Sequence, residues 1–121
     1  MKALVVDDSI ITRRILTHVL NTHQLPALEA DNGIDALNLI EQEHDISLVT
    51  IDYSMPQMSG LQLIQRLRSQ PQYDRLKLFL VTASDTDDII KSARDIGADD
   101  FIIKPISRTL ISNKLKLHGL N

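Results

Sequence analysis

Apolar positions along the chain fall into two recurring patterns. Residues 3–6, 48–51, 78–81 and 101–103 form short apolar runs, broken only by Thr50, the pattern of strands covered on both faces in a parallel sheet. Between them the spacing turns helical: Ile11, Ile15 and Val19; Ile34, Leu37 and Ile40; Leu61, Ile64 and Leu67; Ile89, Ala93 and Ile96. Gly97 suits the end of the fourth helix, and Ser107 suits the N-cap of a fifth running to His118, with Leu110, Ile111 and Leu115 on one side. A strand is still needed between the first two helices, and residues 25–30 are the candidate. Pro26 cannot donate to a ladder, so this strand is predicted at a sheet edge. Five βα repeats with right-handed crossovers and strand 2 outermost predict an α/β three-layer sandwich, a (βα)5 fold with parallel order 2-1-3-4-5.

Composition narrows the function. The 121 residues are 43% apolar, the size and balance of one globular domain, and residues 1–121 are read as a single domain with no output domain attached. Without cysteine there is no disulfide framework, thiolate zinc site or cysteine nucleophile. With neither a signal-like segment nor a long apolar stretch, a cytoplasmic location away from membranes is expected. A net charge of −3 argues against nucleic-acid binding, but it is unevenly spread. Residues 1–60 carry three Lys/Arg against nine Asp/Glu, and residues 61–121 carry ten against seven. The first half is therefore where carboxylates converge.

In open α/β sheets the ligand site lies beyond the carboxyl ends of the strands where the strand order reverses, here between strands 1 and 3. Strand 1 runs into Asp7-Asp8 and strand 3 into Asp52, so three carboxylates are expected in one crevice. Such crowding is relieved by a bound cation, by protonation or by a lysine. Lys104, after strand 5, supplies the lysine, and Thr82, ending strand 4, a hydroxyl. Taken singly, each has an ordinary reading: acids at a helix N-terminus, a threonine in a turn, a surface lysine. Their convergence makes the case for a site. The four histidines lack mutual helical spacing and are read as solvated, as are Arg108, Lys114 and Lys116 on the last helix.

Asp7-Asp8-Ser9, Asp52-Tyr53-Ser54-Met55-Pro56 with Gly60, Thr82-Ala83 and Phe101-Ile102-Ile103-Lys104-Pro105 together resemble the receiver domain of bacterial two-component response regulators, over the whole chain. The intervals of 44 residues from Asp8 to Asp52, 30 on to Thr82 and 22 on to Lys104 resemble the stand-alone chemotaxis (CheY-like) type, with its flavodoxin-like fold. The resemblance implies that Asp52 accepts a phosphoryl group from a histidine kinase or histidine phosphotransfer protein. It implies Mg²⁺ held by Asp7, Asp8, Asp52 and the backbone carbonyl of Ser54, with Thr82 and Lys104 on phosphoryl oxygens. It also implies a switch through Thr82 and Phe101 that alters helix 4, strand 5 and helix 5 for a downstream protein target, in a monomer or weak dimer. Ser54 and Ser84 are similar in place to the residues that flank the attacking water and set the phosphate lifetime. A cis bond before Pro105 is implied as well.

Three other readings compete. An enzyme working through an aspartyl phosphate would resemble Asp-x-Asp at the nucleophile, whereas Asp52 is followed by Tyr53-Ser54. A flavodoxin would need a loop rich in Ser, Thr and Gly after strand 1 in place of Asp7-Asp8-Ser9. A phosphorylation-independent adaptor on the same fold would have no need of the full set of acids, threonine and lysine. The sequence therefore reads as a phosphoacceptor signalling domain rather than an enzyme.

Overall fold

The computed structural model describes residues 1–83 and 87–120. In chain order the elements are β1 (Lys2–Val6), α1 (Ile10–Thr22), β2 (Ala27–Ala30), α2 (Gly33–Gln42), β3 (Ile46–Asp52), α3 (Gly60–Arg68), β4 (Lys77–Thr82), α4 (Asp87–Asp95), β5 (Asp100–Ile103) and α5 (Arg108–Leu117). A short 3₁₀ turn at Pro71–Tyr73 precedes β4. The strands pair in parallel in the order β2-β1-β3-β4-β5, as predicted.

Pro26 lies just outside the edge strand, which starts at Ala27 rather than at residue 25. Its carbonyl still accepts from the Ala3 amide at 2.8 Å, so the proline serves the sheet only as an acceptor. Alternation along the strands divides the core. Ala3 and Val5 face Leu16, Val19 and Leu20 of α1 and Ile111 and Leu115 of α5. Leu4 and Val6 face the other layer, with Ala36 and Ile40 of α2, Leu63, Ile64 and Leu67 of α3, and Ala93 of α4.

One helical stripe differs from the sequence pattern. Ile11 and Ile15 are 70% and 45% exposed, while α1 buries Leu16, Val19 and Leu20 instead. The first helix is apolar on two adjacent stripes, and periodicity cannot tell which one meets the sheet. Ile34 and Leu110 are exposed for the same reason, at the margins of stripes carried by Ala36 and Ile40 and by Ile111 and Leu115.

Caps fix where the helices begin, and with them the loops at the strand ends. Ser107, the predicted N-cap, accepts from the Leu110 amide; the Ser9 hydroxyl also accepts from the Thr12 amide, and Ser59 and Gln62 form a reciprocal capping box. Gly60 follows Ser59 because a Cβ there would collide with the carbonyl oxygen of Asp52. Its amide donates to the Tyr53 carbonyl at 3.0 Å, folding the chain after β3 back over the strand end.

Candidate functional site

β1 and β3 lie side by side at the point where the sheet order reverses, so the chain leaving each carries its acids into one crevice. Asp7 and Asp52 are buried and Asp8 is exposed, and a carboxylate oxygen from each lies within 4.8 Å of the others. One oxygen of Asp7 accepts from the Ser9 amide at 2.9 Å. The other, Oδ2, is buried and has no hydrogen-bond partner among the described residues. Lys104 approaches from the end of β5, with Nζ 3.4 Å from Asp52 Oδ1 and 3.7 Å from Asp7 Oδ2. The Lys104 amide donates to the Thr82 carbonyl at 2.8 Å, and the Lys104–Pro105 bond is cis.

This crowding is legible in the electrostatics. Burial, reinforced by the neighbouring Asp7 carboxylate, pushes the Asp52 carboxyl up to about 6, against a smaller opposing pull from Lys104. A buried acid with an orphaned carboxylate oxygen beside it is the donor set that a hard divalent cation fits. Three oxygen donors from two adjacent strand ends leave half of a six-fold shell to other oxygens, water and ligand among them, which is how Mg²⁺ is usually held.

The structure brings together Asp7, Asp8, Asp52 and Lys104. Thr82 is buried at the end of the neighbouring strand β4. Ser54 is exposed two residues beyond Asp52. Ser84 lies outside the described residues. Phe101 stands away from the acids on β5, half-buried, with the Lys114 ammonium 4.8 Å and the Arg94 guanidinium 5.4 Å from its ring centre.

The response regulator receiver domain family matches residues 3–116. The chain belongs to that family. It is 32% identical over 118 residues to a chemotaxis protein CheY homolog of Campylobacter jejuni, covering 96% of this chain and 90% of the relative. Among solved structures, the chemotaxis protein CheY4 of Vibrio cholerae superposes with a TM-score of 0.89 at 25% identity, over 96% of each chain. A two-component response regulator/GGDEF domain protein superposes at 0.91 and 30% identity, over 99% of this chain and 50% of the other. The receiver domain is thus of the two-component, CheY-like kind, a class of signalling proteins rather than enzymes in the ordinary sense. Among the described residues no helix is long and apolar enough to cross a membrane.

Two features of this receiver domain escape the sequence. Asp100, to which the sequence pattern assigns no role, is buried and binds Lys114 Nζ at 2.6 Å and His118 Nε2 at 3.0 Å. Lys114 and His118, expected to be solvated, are therefore largely covered, and the His118 ring packs 5.0 Å from that of Phe79. Their four-residue spacing on α5 was the available signal, but it needed an acid placed opposite by the fold. The second is Arg13, whose guanidinium donates to the carbonyl of Asp7 at 2.7 Å.

Proposed function

We propose that Asp52 accepts a phosphoryl group from a histidine kinase or histidine phosphotransfer protein, with Mg²⁺ at Asp7, Asp8, Asp52 and the Ser54 carbonyl, and that phosphorylation alters a protein-binding surface on α4, β5 and α5. The buried acid cluster facing Lys104 carries this reading. Mg²⁺, when bound, would neutralise charge on the phosphoryl oxygens and the attacking carboxylate. An Asp52 oxygen forms the new bond to phosphorus as the phosphorus–nitrogen bond of the donor breaks, the imidazole nitrogen keeping the bonding pair. Through a loose transition state, catalysis of this step is chiefly positioning and charge neutralisation. Lys104, already directed at Asp52, supplies a compact cation for a phosphoryl oxygen. Thr82 offers a hydroxyl to another. Ser54 and, by its place two residues beyond Thr82, Ser84 would flank the water that later removes the group.

The domain is proposed to act in the cytoplasm, as a monomer or weak dimer without contact to nucleic acid. Incubation with a small phosphodonor and Mg²⁺ is expected to add one phosphoryl mass to the intact chain and none to Asp52→Ala. Equal labelling of the variant would reject Asp52 as the acceptor.

A further inference from the structure

The peptide group joining Asp7 to Asp8 sets how their two carboxylates stand relative to each other, and one side chain grips it. Arg13 Nη1 donates to the Asp7 carbonyl at 2.7 Å, while its Nε donates to Glu29 Oε1 at 3.1 Å. The Arg13 side chain is only 15% exposed and that of Glu29 30%, so water competes weakly for either contact. Arg13 begins the second turn of α1, its amide bonded to the Ser9 carbonyl, and Glu29 lies in the edge strand β2. The pair therefore ties two elements, α1 and β2, to one peptide plane.

The rest of Asp7 is held by different bonds. Its amide donates to the Ala30 carbonyl at 3.1 Å, and its Oδ1 accepts from Ser9, leaving Oδ2 towards Asp52 and Lys104. These bonds fix the Asp7 side chain but not the rotation of the peptide that follows it. Asp8 is exposed, yet a carboxylate oxygen of it lies within 4.8 Å of those of Asp7 and Asp52, and the orientation of that peptide helps to aim it there.

We propose that Arg13, anchored by Glu29, is a positioning residue that fixes the Asp7–Asp8 peptide plane and so sets the affinity of the acid cluster for a divalent cation. This deepens the metal reading above and rests on it. Groups behind metal ligands typically govern affinity by about 10- to 100-fold when removed. Arg13 acts through a backbone carbonyl, so the lower part of that range applies. Its positive charge works the other way, repelling a cation, and its partial neutralisation by Glu29 limits that effect. A charge-conserving replacement separates the two influences.

Mg²⁺ titration by calorimetry is the test, with no phosphodonor present and well below the melting temperature of every variant. Arg13→Lys keeps the charge and loses the two-point grip, and it is expected to weaken Mg²⁺ binding by about 10-fold. Glu29→Gln keeps an acceptor for Nε and loses the charge that anchors it, with a smaller loss expected. The double variant should lose less than the two single losses multiplied, because both act on one contact. Arg14→Lys, beside Arg13 but 70% exposed and 3.8 Å from the other Glu29 oxygen, should bind Mg²⁺ as the unaltered chain does. The amide resonance of Asp8 should move in Arg13→Lys before any metal is added. Unchanged Mg²⁺ affinity in Arg13→Lys and Glu29→Gln would overturn the positioning role while leaving the metal reading intact. Failure of the unaltered chain to bind Mg²⁺ would overturn both.

Discussion

A carboxyl raised to about 6 in the folded chain works against the fold that holds it. Relative to its ordinary 3.8, Asp52 destabilises the native state by roughly 3 kcal/mol above pH 6, because the folded protein must keep ionised a group it would rather protonate. As pH falls from 6 towards 3.8 the folded chain takes up the proton first, the penalty shrinks, and below 3.8 it is gone. Asp52→Asn should therefore raise stability in metal-free buffer by up to about 3 kcal/mol at pH 7.5 and by little near pH 4. Denaturant melts with a chelator at the two pH values test it, and a gain independent of pH would reject the electrostatic cause. Saturating Mg²⁺ should narrow the difference, since it stabilises only the chain with the intact acid. Among single residues the sequence was legible for Asp7, Asp52 and Lys104, because each directly follows a run that reads as a strand, and for Asp8, which is next to Asp7. Arg13 was not, because a bond to a backbone carbonyl leaves no mark on the residue that accepts it.

Among the elements, β5 and α5 are joined by charge as well as by apolar packing. Asp100 accepts from Lys114 at 2.6 Å, from His118 at 3.0 Å and from the Phe101 amide at 2.8 Å. Burial by itself would raise its carboxyl, but the bonds from Lys114 and His118 outweigh burial and hold it below the usual range. A carboxyl so lowered contributes stability that is present above 3.8 and is lost as pH falls through the folded value. Asp100→Asn should cost on the order of 1–3 kcal/mol at neutral pH, with the difference closing in acid. Thermal melts across pH 2.5–7 would check this, and a cost that persists undiminished in acid would point to packing instead. The same substitution should loosen Lys114 from the Phe101 ring, which its ammonium overlies. Elements were legible as far as their existence and order, since Pro26 assigned the edge and Gly97 and Ser107 the helix limits. Their faces were less so: α1 presents Leu16, Val19 and Leu20 to the sheet because the docking of the whole helix, not its local spacing, selects the stripe.

Across the whole molecule, Lys104 connects the acid crevice to the part of β5 that α4 and α5 flank. Its backbone is bonded to Thr82 at the end of β4, its side chain reaches Asp7 and Asp52, and its chain continues β5, whose Phe101 ring lies between α4 and α5. Without a cation its ammonium is what offsets the crowded carboxylates, so it competes with any metal for them. On the reading proposed above, a phosphoryl group on Asp52 would give the ammonium a closer anionic partner, and a shift of Lys104 would be passed along β5. Lys104→Ala should accordingly bind Mg²⁺ as tightly as the unaltered chain or more so, and Asp52 should still take the phosphoryl analogue beryllofluoride. What should be lost is the response at a distance. Hydrogen exchange across α4, β5 and α5 should change on adding beryllofluoride to the unaltered chain and stay near its starting level in the variant, because a ligand shifts a conformational equilibrium only through contacts that differ between the two states. Weaker Mg²⁺ binding in Lys104→Ala would show that the lysine orders the acids rather than competing for them, and an undiminished exchange response would place the coupling in Thr82 alone.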